Sequence, residues 1–330
     1  MKNSVPLMWV EIGRKPSKYL LKSINIHSER FPEIPKYLIL NRKYRKLVEN
    51  IDVKKVYIED LTSFEDITNF QSGSKAWSGL QQNYWTNTTA RFYAINAALK
   101  DLEIQKLIHL ESDCILLSTR AVDNLFHSGN WGLKYAKQHE NYGCASILLI
   151  NQQSELDNFL KFISLNWHRV DFTDMNALGE FIKVSDKSEF LYSGNPMDIQ
   201  QSEIFDGVTI GRFFLGGDAR NSRWPFSARG KIEKVNGEFD PTNFSLVASD
   251  KSVHLTDGVT KIELQNLHMH SKRIPNNWKK LMRTINKDGT RNRNFVWKLG
   301  HFDSVIFKER LFSFIQRRIL RNKFADPRFR

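Results

Sequence analysis

The segment from Lys106 to Leu117 reads Lys-Leu-Ile-His-Leu-Glu-Ser-Asp-Cys-Ile-Leu-Leu, and it places two carboxylates, Glu111 and Asp113, within an apolar run. In extended backbone, residues two apart point to the same side. Two like charges that close repel, so a cationic partner is expected between or beside them. A hard divalent cation with oxygen ligands meets that need, and Mg²⁺ characteristically keeps positions open for substrate phosphates. The competing reading is a solvated turn after a strand. The apolar residues on both sides argue against it, because an unpaired buried acid is costly.

Such a pair needs a scaffold. Strands are expected at Pro6–Ile12, Lys36–Leu40, Lys54–Ile58 and Ile104–Leu110. Helices are expected at Lys18–Arg30 and Asn87–Lys100, the latter capped by Thr86 or Asn87, with Phe92, Ile95 and Leu99 on one face. Strands alternating with helices predict an α/β fold, a mostly parallel central sheet flanked by helices, with ligands at the carboxyl ends of the strands. Further on, Trp131–Tyr135 and Ala145–Ile150 read as strands, Glu155–Leu165 and Asp174–Ile182 as helices, and Ile262–His270 as a late strand. Leu61–Trp85 reads as a long polar connection. Residues 194–258 are rich in Gly, Asn, Asp and Ser and only weakly periodic.

A helix bearing an arginine, a short connection, an apolar strand and then acid-x-acid resembles the nucleotide-sugar-binding half of GT-A glycosyltransferases. Glu111-Ser112-Asp113 stands in the place of their DxD motif, with Glu for the usual first Asp. Four further segments resemble the glycogenin and lipopolysaccharide galactosyltransferase type. They are Thr89-Ala90-Arg91-Phe92, the strand Tyr142–Asn151 ending in Leu-Ile-Asn, Asp174-Met175-Asn176-Ala177-Leu178, and Leu267-His268-Met269-His270-Ser271-Lys272. The resemblance covers roughly residues 5–275. It implies a GT-A (Rossmann-like) fold and a divalent cation, Mn²⁺ or Mg²⁺, held against the donor diphosphate. By this resemblance Asp113 is a metal ligand, and Glu111 binds the metal through water or contacts the donor ribose. Arg91 reaches the donor, Asp174 binds donor-sugar hydroxyls, and the late segment supplies a metal-binding His and the phosphate-binding Lys272. The implied donor is a nucleotide sugar, UDP-linked, and the implied acceptor a saccharide or lipid-linked saccharide.

Glycosyl transfer from such a donor needs neutralisation of the leaving diphosphate, which a metal and a basic side chain supply. Asp113, one of His268 and His270, and Lys272 meet that need. His268 and His270 stand two apart on the expected strand, so both can face one side, one on the metal and the other on phosphate. An inverting transfer needs a general base for the acceptor hydroxyl, and the candidates are Asp174, Asp206 and Asp218. The Gly-rich run from Ile204 to Arg220 is either a series of turns or an acceptor-side wall. Trp85 and Trp224 are packing residues or stacking platforms for a sugar. No Gly-x-Ser-x-Gly elbow supports serine hydrolysis.

The chain has 330 residues and a formal charge of +13. Residues 276–330 hold six Lys and nine Arg against three Asp and one Glu, so +11 of the charge lies there and +2 in residues 1–275. Pro275-Asn276-Asn277 is the expected boundary between a catalytic domain, 1–275, and a basic extension, 276–330. Over 303–323 the extension reads as a helix with Val305, Phe312, Ile315 and Ile319 on one face and Arg310, Arg317 and Arg321 opposite. Such a helix either packs on the domain or docks on an anionic membrane surface, as suits an enzyme with a lipid-linked acceptor. No nucleic-acid module accompanies the charge. No apolar run is long enough to span a bilayer, and the N-terminus reads as a strand, not a signal peptide. Two cysteines make neither a disulfide framework nor a four-Cys zinc site and suit a reducing compartment. Two other functions are compatible with the sequence: a nucleotidyltransferase, for which Gly13-Arg14-Lys15-Pro16 is a faint nucleotide loop, and a non-catalytic polyanion-binding protein.

Overall fold

The computed structural model describes residues 4–73, 82–139, 141–169, 172–193, 203–216 and 241–289. Asp218, Trp224 and the basic helix read over 303–323 lie outside the described residues. No helix among those described is long and apolar enough to cross a membrane.

The first strands are β1 (Leu7–Glu11), β2 (Lys36–Leu40), β3 (Lys54–Tyr57) and β4 (Leu107–Leu110). The neighbouring pairs β3–β2, β2–β1 and β1–β4 all run parallel. The sheet continues through β7 (Tyr142–Ile150) and β6 (Leu133–His139) to β8 (Ser188–Leu191), in the order β3-β2-β1-β4-β7-β6-β8. The β4–β7 and β6–β7 pairs are antiparallel and β6–β8 is parallel, so four of six pairings are parallel, as expected. Strand order reverses at β1. The chain winds outward to β3, then returns to lay β4 on the other side of β1. A crevice opens at the carboxyl ends of such strands, where ligands bind. Glu11 ends β1, and Glu111 directly follows β4.

Both faces of this sheet are covered, which is why β1 reads as continuously apolar rather than alternating. Met8 faces α3 (Gln82–Asp101), α5 (Gln153–Asn166) and α6 (Asp174–Phe181), packing with Phe92, Ile95, Phe159 and Leu178. Leu7 and Trp9 face α1 (Lys18–Arg30) and α4 (Arg120–His127), packing with Leu20, Ile24, Val122 and Phe126. Ser17 caps α1 by accepting from Leu20 N.

Two departures from the sequence reading matter for the site. The long polar connection contains α2 (Phe64–Gly73), and α3 starts at Gln82, so Thr86 and Asn87 lie inside a helix rather than capping it. The late strand read over Ile262–His270 is two strands that part at Gln265. The first, β12 (Lys261–Leu264), joins a four-stranded sheet with β9 (Glu203–Ile204), β10 (Ser245–Ala248) and β11 (Val253–Thr256), in the order β10-β11-β12-β9. The second, β13 (Asn266–His268), leaves it to pair antiparallel with β5 (Cys114–Leu116). Gln265 bridges the two, donating to Ile204 O and accepting from Leu117 N. A third core gathers these strands with α7 (Thr209–Leu215) and α8 (Trp278–Gly289), which buries Trp278, Leu281, Met282 and Ile285.

Candidate functional site

The β5–β13 ladder sets His268 opposite Cys114, and Met269 N donates to Asp113 O at 2.8 Å. This register carries a histidine from the far end of the chain to the acid pair. His268 Nε2 lies 3.4 Å from Asp113 Oδ2 and 3.5 Å from Glu111 Oε2. Its Nδ1 donates to Gly207 O at 2.6 Å, so the backbone fixes the ring with Nε2 toward the acids. Glu111 itself is pinned, its N–H donating to Ser146 O on β7.

Arg91 on α3 ties three elements together. One guanidinium nitrogen reaches Glu111 Oε1 and the other Asp174 Oδ2, both at 2.6 Å. Asp174 opens α6, held there by a capping box between Thr173 and Asn176. Lys272 meets Asp113 Oδ2. It does so from a left-handed backbone with φ 58°, uncommon for a residue with a Cβ and stabilised by its N–H donating to Met269 O. Three carboxylates thus face two permanent cations, with His268 as a third basic group.

Burial would push Asp113, Glu111, His268 and Lys272 toward neutrality, and mutual pairing overrides it. Asp113 is held well below the usual carboxylate range by Lys272 and His268, against the desolvation that would raise it. Burial likewise opposes ionisation of Glu111, yet Arg91 and then His268 pull it below its ordinary value. Burial opposes the charge on His268, and the Asp113 carboxylate more than compensates, holding it well above the imidazole range. His270 goes the other way. Burial, then repulsion from His268 and Lys272, keeps it well below that range. Its ring stacks on His268 with centroids 4.0 Å apart, and its buried Nε2 has no hydrogen-bond partner. His270 sits beyond the end of β13 and meets His268 through a turn rather than along a shared strand face.

Asp206 is 1% exposed and accepts from three backbone N–H groups, those of Ile210, Gly211 and His268. Burial nonetheless raises its pKa. Its main chain exchanges two bonds with the Asn266 amide, Asp206 N to Oδ1 and Nδ2 to Asp206 O, both at 2.9 Å. The structure thus places Asp206 behind His268, where it fixes α7 against β13. Gly211 allows that approach, since a Cβ there would lie 2.0 Å from His268 O. Trp85 is buried on α3.

Sequence reasoning passed over Glu11, Asn266 and Cys144. Glu11 ends β1 nearly buried, pairs with Arg14 and accepts from Ser112 Oγ at 2.9 Å, between the two acids. An acid closing an apolar first strand was the available signal. Nothing in the local sequence marks Asn266, whose role depends on a partner 60 residues away.

The donor set fits a divalent cation. Two carboxylate oxygens converge on one imidazole nitrogen whose ring is fixed by a backbone acceptor, and a second imidazole nitrogen beside it is buried and unpartnered.

No family model matches the chain, and no curated protein matches it. Similar solved structures include the galactosyltransferase LgtC in complex with donor and acceptor sugar analogues, at 12% identity and TM-score 0.43, covering 89% of this chain and 100% of that one. Another is mouse xyloside xylosyltransferase 1, at 9% identity and TM-score 0.39, covering 61% of this chain and 88% of that one. A third is the glycosyltransferase GlyE of Streptococcus pneumoniae, at 16% identity and TM-score 0.35, covering 58% of this chain and 45% of that one.

Proposed function

We propose that the chain is a metal-dependent GT-A-type glycosyltransferase that moves a sugar from a nucleoside-diphosphate sugar to a saccharide or lipid-linked acceptor. The observation that carries this reading is the convergence of Glu111, Asp113 and His268 Nε2 at the carboxyl end of β4, where the strand order reverses. Asp113 and His268 are the residues to hold Mn²⁺ or Mg²⁺, with His270 adjacent, and the metal when bound supplies charge for a diphosphate leaving group. Lys272, released from Asp113, is placed to meet a phosphate oxygen. Arg91 holds Glu111 and Asp174 in fixed positions, where their carboxylates can accept from sugar or ribose hydroxyls. Asp206 serves as a positioning residue for His268, because its carboxylate is spent on backbone donors. A UDP-linked donor and docking of the basic segment 303–323 on an anionic membrane belong to the same proposal.

Calorimetry with UDP-glucose and related nucleotide sugars, with Mn²⁺ and with EDTA, tests the reading. Binding that requires Mn²⁺, followed by release of the nucleoside diphosphate, is the expected result. Equal binding with and without metal, or no nucleotide-sugar binding across the panel, would overturn it.

A further inference from the structure

The cluster contains a donor that a hard-metal site does not call for. Cys144 projects from β7, is 5% exposed, and its Sγ lies within 4.8 Å of ligand atoms on both Glu111 and His268, which lie as close to one another. At present the thiol donates to Gly207 O at 3.4 Å, the carbonyl that also receives His268 Nδ1. We propose that Cys144, His268 and Glu111 form a soft-metal site that takes Zn²⁺ or Co²⁺ in place of a hard cation. The inference rests on the metal-binding part of the reading above and not on sugar transfer.

The geometry is close to what such an ion requires. A tetrahedral cation about 2.1 Å from nitrogen and oxygen holds those atoms about 3.4 Å apart, and a thiolate bond of about 2.3 Å puts sulfur about 3.6 Å from nitrogen. His268 Nε2 and Glu111 Oε2 are already 3.5 Å apart. Cys144 Sγ lies within 4.8 Å of a ring nitrogen of His268 and a carboxylate oxygen of Glu111, so it closes on the ion by a shift of about 1 Å or more, within reach of side-chain rotations. The exchange balances: the metal–sulfur bond forms as the S–H bond breaks, and the Cys144 proton leaves to solvent. A thiolate selects borderline-soft ions, whereas Mn²⁺ and Mg²⁺ prefer oxygen ligands such as Asp113. Both kinds of ion draw on His268, so they exclude one another, and Zn²⁺ acts as an antagonist of the hard metal. The second cysteine provides a control, because Cys114 Sγ accepts from Asn266 Nδ2 at 3.3 Å inside the core.

The test is a Co²⁺ titration of the full chain, read by absorption. A thiolate-to-Co²⁺ charge-transfer band in the wild type is expected. It should disappear in Cys144→Ser and persist in Cys114→Ser. Cys144→Ser should weaken Zn²⁺ binding by about 100-fold or more and change Mn²⁺ binding by less than about threefold, since only the soft ligand is lost. X-ray absorption on Zn²⁺-loaded wild type is independent of variant folding and should show one sulfur neighbour at about 2.3 Å. A shell of only nitrogen and oxygen, or a charge-transfer band unchanged by Cys144→Ser, overturns the proposal. Mn²⁺-dependent UDP-glucose binding without any thiolate band would sink this inference and leave the transferase reading. A thiolate band without nucleotide-sugar binding would do the reverse.

Discussion

Two buried histidines in this molecule occupy opposite kinds of environment. His27, on α1, is fully buried, and its neutral ring is satisfied within the protein. Its Nδ1 donates to Ser23 O at 2.7 Å, its Nε2 accepts from Leu116 N at 2.9 Å, and Trp9 packs edge-on against it. His268 is almost as buried, but its Nε2 faces two carboxylates. The two rings lie on either side of the same short strand, β5, one holding its backbone and the other facing the acids before it. Burial alone therefore does not mark a functional histidine. What separates them is whether the second nitrogen closes a bond inside the fold or is left facing charges.

The largest expected effect breaks the open side of this comparison. Asp113→Asn keeps the shape of the side chain but removes the charge that Lys272 and His268 share. On the proposed function, Mn²⁺-dependent turnover falls by about 10²–10³-fold, as when a single transition-state stabiliser is lost. Thermal unfolding and circular dichroism should still show a folded protein. Turnover within a few-fold of wild type would remove Asp113 from the metal site.

The closed side breaks differently. His27→Ala leaves the Leu116 N–H buried without an acceptor and opens a cavity beside Trp9, at a cost of about 2–4 kcal/mol in unfolding free energy. Mn²⁺ binding by the folded fraction should stay within about threefold, because the β5–β13 ladder and the Gly207 anchor of His268 remain. Chemical denaturation paired with metal titration checks both halves. Loss of metal affinity without loss of stability would show the two histidines to be coupled.

Between these lies the backing of His268. Gly211→Ala would press a methyl group into the His268 carbonyl, whose separation from the built Cβ is 2.0 Å. The overpacking cost is about 1–3 kcal/mol. Because the clash falls on β13, metal affinity should drop by about tenfold along with stability. A Gly211→Ala protein that is destabilised yet binds Mn²⁺ normally would show that α7 does not position His268.

The same contrast explains what was legible in the sequence. Strands and helices of the first half follow from local patterns, and Lys18–Arg30 and Lys36–Leu40 have the bounds that their periodicity implies. The acid pair was visible because two charges interrupt an apolar run. The splitting of the late strand was not, since nothing between Ile262 and His270 breaks the β pattern. Only pairing with β5, about 150 residues earlier, pulls Asn266–His268 away from its neighbours. The same long-range pairing buries Asp206 against the His268 backbone. It also gives Asn266 and Cys144 neighbours that no local window contains.

The smallest expected effect is graded, and pH sharpens the comparison continuously. Burial pushes His27 down to about 4 and His109 down to about 3, where an unfolded histidine titrates near 6.5. Between those values the unfolded chain binds protons that the folded chain refuses, so stability rises with pH and is lost as pH falls below about 6.5. Each histidine contributes a slope of up to about 1.4 kcal/mol per pH unit. His268 has the opposite sign. Its folded pKa is raised, so its contribution is fully present below the unfolded value and disappears as pH rises through the folded one. Urea midpoints measured from pH 7 to pH 5 in EDTA should therefore fall for wild type and fall less steeply for His27→Ala, even though that variant starts from lower stability. Parallel curves for the two proteins would mean that His27 accepts its proton in the folded state, and that its environment is not closed.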